Sequence, residues 1–188
     1  DLAEPLLTNA VAIRREALGD DNESVADSLD NLALVLASAG RYATAVERNT
    51  EACGLRSRLR QASRYAQCEI ALGSALRAMG RDNEASAAYD EAMRSIDERD
   101  PIYPMLLVNR AILLASSGDY DESERLSRRA AAIVEARPTG HESLEYASVL
   151  EALGAAARGR ARFSDAQAFF REAVAVRARL QGVDHPEY

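Results

Sequence analysis

NLALVLASAGRYATAVERNTEA, residues 31–52, reads as two helices folded back on each other at Gly40. Ala33, Ala45 and Ala52 mark the contact, because small side chains let two helix backbones approach closely. Leu32, Leu36 and Val46 fill the space around them. Gly40 closes the first helix, since only glycine takes the left-handed conformation of a tight helix end without penalty.

The pattern recurs along the chain. The small residue of the first helix returns as Ala33, Gly73, Ala111 and Gly154. Twelve residues later stand Ala45, Ala85, Ser123 and Ala166, and seven further on Ala52, Ala92, Ala130 and Ala173. These two gaps never vary, so no insertion falls inside a helical hairpin. The spacing from Ala10 to Ala52, Ala92, Ala130 and Ala173 runs 42, 40, 38 and 43 residues, so length changes collect in the loops between hairpins. Residues 1–18 fit as the second helix of a further repeat, and 173–188 parallels 10–25 through Gly19 and Gly182. The expected organisation is a single array cut from a longer protein. It comprises a half-repeat at 1–23, repeats at 24–62, 63–102, 103–141 and 142–181, and the start of another at 182–188.

Helices are predicted near 2–18, 24–39, 42–58, 63–79, 82–98, 103–117, 120–136, 142–159 and 163–180. Gly40, Gly80, Gly118 and Gly159 are assigned to the turns within pairs, and Asp82, Asp119 and Ser164 to N-caps. The loops between pairs hold Pro101, Pro104, Pro138, Gly140, Gly182 and Pro186.

Composition excludes several functions. The 188 residues carry a net charge of −7, with 30 acidic and 23 basic side chains, which argues against nucleic acid or an anionic membrane as partner. Every basic residue is arginine, so Schiff-base chemistry and the phosphate-binding P-loop have no lysine to use. No apolar run reaches the roughly 18 residues of a membrane span. His141 and His185 stand in separate loops without ligands at metal spacing, and no catalytic arrangement can be assembled. No catalytic residue, metal or cofactor is therefore expected. Cys53 and Cys68 flank the 59–62 turn at matching distances, which puts them at one height on neighbouring helices. They are expected to be close but reduced, with a cytoplasmic location as the default for so few cysteines. The arginine-only, alanine-rich composition resembles that of a bacterial protein from a GC-rich genome.

The columns of small residues, a leucine before the first, and an aromatic after the turn at Tyr42, Tyr120 and Phe163 together resemble the tetratricopeptide repeat (TPR) family. The long period and the linkers at 18–26 and 180–188 are similar to its kinesin-light-chain-type variety. Departures are Asp82 in place of the aromatic, Arg110 where a core leucine is usual, and Ala161 in place of the turn glycine. The resemblance implies an all-α, right-handed superhelix, an α-solenoid, with about four full repeats and a leading half-repeat. It further implies a concave groove, lined by the first helices, that binds a peptide or protein.

Groove positions carried over from the family include Asp27, Asp30, Asn31 and Leu34, then Gln67, Ile70, Ser74 and Arg77. The later repeats supply Met105, Val108, Asn109 and Ile112, then Glu151 and Arg158. Asn31 and Asn109 fall in a column where the family clamps ligand backbone with an amide, which offers a donor and an acceptor together. Arg77 and Arg158 could pair with a ligand carboxylate, or internally with Asp30 or Glu151. Leu34, Ile70, Met105, Val108 and Ile112 would form an apolar floor. The expected function is a protein- or peptide-binding scaffold within a larger bacterial protein. The alternative is a structural self-association module, to which uncapped end helices carrying Leu6, Leu7, Val11, Ile13, Phe169, Val174 and Val176 would contribute.

Overall fold

The computed structural model describes residues 3–181. Among these residues the fold is all-α, a lone helix followed by helix pairs: α1 Ala3–Leu18, α2 Glu23–Ser38, α3 Tyr42–Arg58, α4 Ala62–Ala78, α5 Asp82–Ser95, α6 Tyr103–Ser116, α7 Tyr120–Glu135, α8 Leu144–Gly159 and α9 Phe163–Gln181. A short 3-10 turn, Gly140–Glu142, leads into α8. The expectations for Gly182, His185, Pro186 and the segment 182–188 lie outside the described residues.

The chain forms two compact units, 1–100 and 101–188. In the first, α1 packs on α2, α2 on α3, α3 on α4 and α4 on α5. In the second the order is α6 on α7, α7 on α8 and α8 on α9, with α6 also touching α8. Each unit is thus a run of consecutive antiparallel neighbours, as in an α-solenoid. The small columns do what their spacing requires: Ala33, Ala45, Ala52, Ala85, Ala92, Ala111, Ser123, Ala130, Ala166 and Ala173 are all buried. Ser123 lies in such a contact because its hydroxyl donates to the Ala111 carbonyl of the facing helix, at 2.7 Å.

Gly40, at φ +73°, shows how the turns are closed. Its N–H donates to the Ala37 carbonyl and the Arg41 N–H to the Leu36 carbonyl, both at 2.9 Å. This is the paired closure of a helix ending in a left-handed residue. At Ala161, φ +57°, the same pair recurs: its N–H donates to the Arg158 carbonyl at 3.0 Å and the Arg162 N–H to the Ala157 carbonyl at 2.9 Å. The expected turn residue Gly159 is instead the last residue of α8. Its small size serves packing, since a Cβ there would lie 2.1 Å from the Tyr120 ring on α7.

Three further expectations change. Helix α5 stops at Ser95, three residues early, because Ile96 is extended. Asp82 and Ser164 lie inside the helices they were to cap, at the second and third positions counted from Arg81 and Arg162. Asp119 is a cap as expected, while Asn22 and Ser143 are caps the sequence reading missed. Cys53 and Cys68 are neighbours, with Cα atoms 5.5 Å apart, but they form a disulfide rather than two thiols. Equal height on α3 and α4 brings their sulfurs together, so the geometry that predicted proximity also permits the bond.

Candidate functional site

Arg56, on α3, is completely buried, and its guanidinium meets Asp27 at 2.6 Å and Asp30 at 2.7 Å on α2. A buried cation needs such partners, because a bare charge in the interior is prohibitively costly. Burial pushes the Asp30 carboxyl above its ordinary value, against the opposing pull of Arg56, and nearby Asp27 adds to the rise. The arrangement repeats in the second unit. Arg177 on α9 binds Glu151 on α8 through two bonds of 2.8 and 3.2 Å and reaches Ser148 at 3.4 Å.

The two arginines share a register, each four residues beyond the third small residue of its repeat, Ala52 or Ala173. Their carboxylates share one too, three residues before Ala33 or Gly154. In the intervening repeats the same two positions are Ile70 with Ile96 and Val108 with Val134. The outer repeats therefore carry charge at both positions and the inner repeats hydrocarbon at both. That matching was a sequence signal for Arg56 and Arg177, which the reading by groove positions alone missed. It also corrects the alternatives for Asp30 and Glu151, whose partners are these arginines and not Arg77 or Arg158.

In the first unit, Asp27, Asp30, Asn31 and Leu34 of α2 and Gln67 and Ser74 of α4 line one pocket of about 650 Å³. Asn31 and Gln67 are exposed, and Leu34 is 66% exposed, unusual for a leucine among polar neighbours. Arg14, Arg64 and Asn49 complete the wall with Tyr42, all unforeseen except Tyr42 as a family marker. Arg14 donates to the Ser24 carbonyl at 2.9 Å and to the Ser28 hydroxyl at 2.5 Å, which fixes α1 against α2. Two expected members stand apart. Ile70 is buried in the core, so it is not floor. Arg77 lies beside the buried Tyr89 hydroxyl, whose ionisation is opposed chiefly by burial.

In the second unit, Met105, Val108, Asn109 and Ile112 of α6 join Glu151 of α8 around a pocket of about 450 Å³. Val108 is almost wholly buried and only its edge reaches the cavity. Asn109 donates to the Met105 carbonyl one turn back, at 2.9 Å, so part of its amide is used within its own helix. Arg158 belongs elsewhere, in a separate cavity of about 500 Å³ beside Phe163, Phe170 and Val174. Of the fourteen expected residues, eleven line the two helix-lined pockets, while Ile70 lies in the core, Arg77 beside Tyr89 and Arg158 in the separate cavity.

Among the described residues no group of three candidate ligands could hold a metal. His141 packs edge-on against Tyr146, with ring centroids 4.8 Å apart. No described helix is long and apolar enough to cross a membrane.

Comparison with known proteins agrees with this geometry. A family model described as tetratricopeptide repeat matches residues 1–58 and 103–179. The chain belongs to the tetratricopeptide repeat family, whose fold is generally a scaffold for protein interaction. The segment between the matched blocks, which holds all of α4 and α5, still packs as a helix pair. No curated protein matches the sequence.

Among solved structures, BtubC (BKLC) from P. vanneervenii superposes with a TM-score of 0.76 at 22% identity, covering 98% of this chain and 75% of that one. A kinesin-light-chain-like protein of Podosopora anserina with nearly identical TPR-like repeats gives 0.70 at 19%, covering 94% and 86%. MamA gives 0.61 at 16%, covering 95% and 96%. At these identities the likeness is one of fold, and it is of kinesin-light-chain-like repeats.

Proposed function

We propose that the chain is a recognition scaffold that holds an extended peptide segment along its first helices. The supporting observation is the pocket between α2 and α4, where exposed amides at Asn31 and Gln67 stand beside the exposed Leu34. Such a mixture suits a ligand with peptide groups to bond and an apolar side chain to bury. The internal pairing of Asp27 and Asp30 with Arg56 leaves the amides and Arg64 as the groups that meet the ligand. The scaffold carries no catalytic step of its own, and it serves as the recognition or regulatory part of a larger bacterial protein. A cytoplasmic site goes with that reading.

Selection from a random displayed peptide library tests the reading. Asn31→Ala and Leu34→Ala should each weaken a selected peptide by about tenfold, the scale of a modest interface anchor. Glu47→Ala, an exposed change on α3 outside this pocket, should leave binding alone. The groove is not the site if that pattern is reversed.

A second reading, self-association, is supported by the ends. Leu6 and Ile13 on α1 and Phe163 and Val174 on α9 are 68%, 56%, 68% and 43% exposed. Val11 and Val176, expected among them, are buried and take no part. Sedimentation velocity over a concentration series would reveal association, and Leu6→Glu with Phe163→Glu should suppress it.

A further inference from the structure

The residue three positions before the last small residue of each hairpin faces the first helix of the same pair. It is Asn49, Tyr89, Ser127 and Phe170 in the successive repeats. Where it is aromatic, the first helix carries glycine: a Cβ on Gly73 would lie 2.5 Å from the Tyr89 ring, and one on Gly154 2.7 Å from Phe170. Those rings fill their hairpins. Where it is small and polar the first helix carries Ala33 or Ala111. Ser127 satisfies itself by donating to the Ser123 carbonyl at 2.8 Å.

Asn49 does not. It is 3% exposed, and its side-chain amide makes no hydrogen bond to any described residue. It lies at the bottom of the pocket between α2 and α4, walled by Ala33, Ala37, Ala71 and Ala75. With no protein partner, the amide meets only what enters the pocket, and hydrocarbon of the same size would pack against the alanine walls at least as well. The unmet donor and acceptor therefore point outward, to something that enters the slot.

We infer that Asn49 is a binding residue which takes the main-chain N–H and C=O of one small residue in an extended peptide. In an extended chain both groups of a residue point to the same side, so a single carboxamide can accept from one and donate to the other. The alanine walls leave room for a narrow backbone and exclude large side chains at that residue. This assignment rests on the groove reading above and adds to it the depth and register at which the ligand sits.

The test is titration of the 15N-labelled chain with N-acetylglycine N-methylamide, whose glycine presents that N–H and C=O. A saturable shift of the Asn49 side-chain signals, with shifts at Ala33 and Ala71, is the expected result. Asn49→Leu should abolish the response and raise the melting temperature. Asn49→Ser, which copies the residue at the matching position 127, should fold and lose the response as well. No saturable shift, a response that survives in Asn49→Leu, or a fall in its melting temperature would each overturn the assignment.

Peptides selected from a random library separate this from the groove reading. If they bind the native chain and Asn49→Leu with equal affinity, the groove stands and the slot falls. If no peptide is selected, the groove reading falls while the amide titration still decides the slot.

Discussion

Arg56 shows how a single residue can fix the character of a whole repeat. Buried beneath Asp27 and Asp30, it ties α3 to the pocket face of α2. Arg56→Val should cost no more than the about 3–5 kcal/mol typical of breaking a buried ion pair, since both carboxylates keep some contact with water. Adding Asp30→Val, which copies the Val108–Val134 pair, should recover most of that loss in a double-mutant cycle of denaturant melts. Glu69 raises the opposite problem. It is 8% exposed, and burial together with the charge of Glu91 lifts its carboxyl above the ordinary value, although Tyr65 donates to it. A carboxyl raised in the folded state binds its proton more readily there than in the unfolded chain. Its contribution to stability is then full below the unfolded pKa and lost as pH rises through the folded value. Glu69→Gln should therefore raise the melting temperature near neutrality and make little difference under acid conditions. Melts of both proteins from about pH 4 to about pH 8 would show this, and parallel curves would contradict it. These residues escaped the sequence reading because groove positions lie on first helices, whereas Arg56, Arg177 and Asn49 reach the site from second helices. Only a comparison of columns across both helices of a pair exposes them.

At the level of the helices, the invariant spacing of small residues was legible because close packing tolerates no insertion. Ala45 and Ala85 have no exposed surface at all. Leucine at either position should destabilise the chain by about 1–3 kcal/mol, as overpacking forces the backbones apart. Unchanged thermal melting in both variants would mean that these are not contact positions. Gly159 carries a second expectation. Alanine there would meet the Tyr120 ring, so Gly159→Ala should lower the melting temperature, and Tyr120→Leu should relieve the loss by removing the ring edge. Local signals were weaker where two roles look alike. A glycine near a helix end can serve as a turn or as a close approach, and only the partner on α7 distinguishes them. The end of α5 was hidden for a related reason. Ile96 continues the apolar pattern of the helix, yet its backbone is extended.

For the molecule as a whole, the repeat pattern announced the all-α array, while the bond between its repeats was misjudged. Both cysteines of the chain lie in the first unit, and their disulfide joins the second helix of one pair, α3, to the first helix of the next, α4. In a repeat array stability is the sum of each unit and its interfaces with neighbours, so a cross-link between pairs acts on an interface term. The bond spans 15 residues of sequence, a loop for which the chain-entropy model gives about 3 kcal/mol. Reduction should therefore weaken α3 and α4 more than other elements, with Leu55, which shares a core cluster with Cys53 and Cys68, losing burial first. Hydrogen exchange with and without reductant would read this directly: faster exchange concentrated in Tyr42–Ala78, reproduced by Cys53→Ser without reductant. Cys68 also lines the α2–α4 pocket, so the same treatment should loosen the wall beside Asn49. Exchange that is unchanged on reduction, or that rises equally in every helix, would show that the bond does not hold this interface.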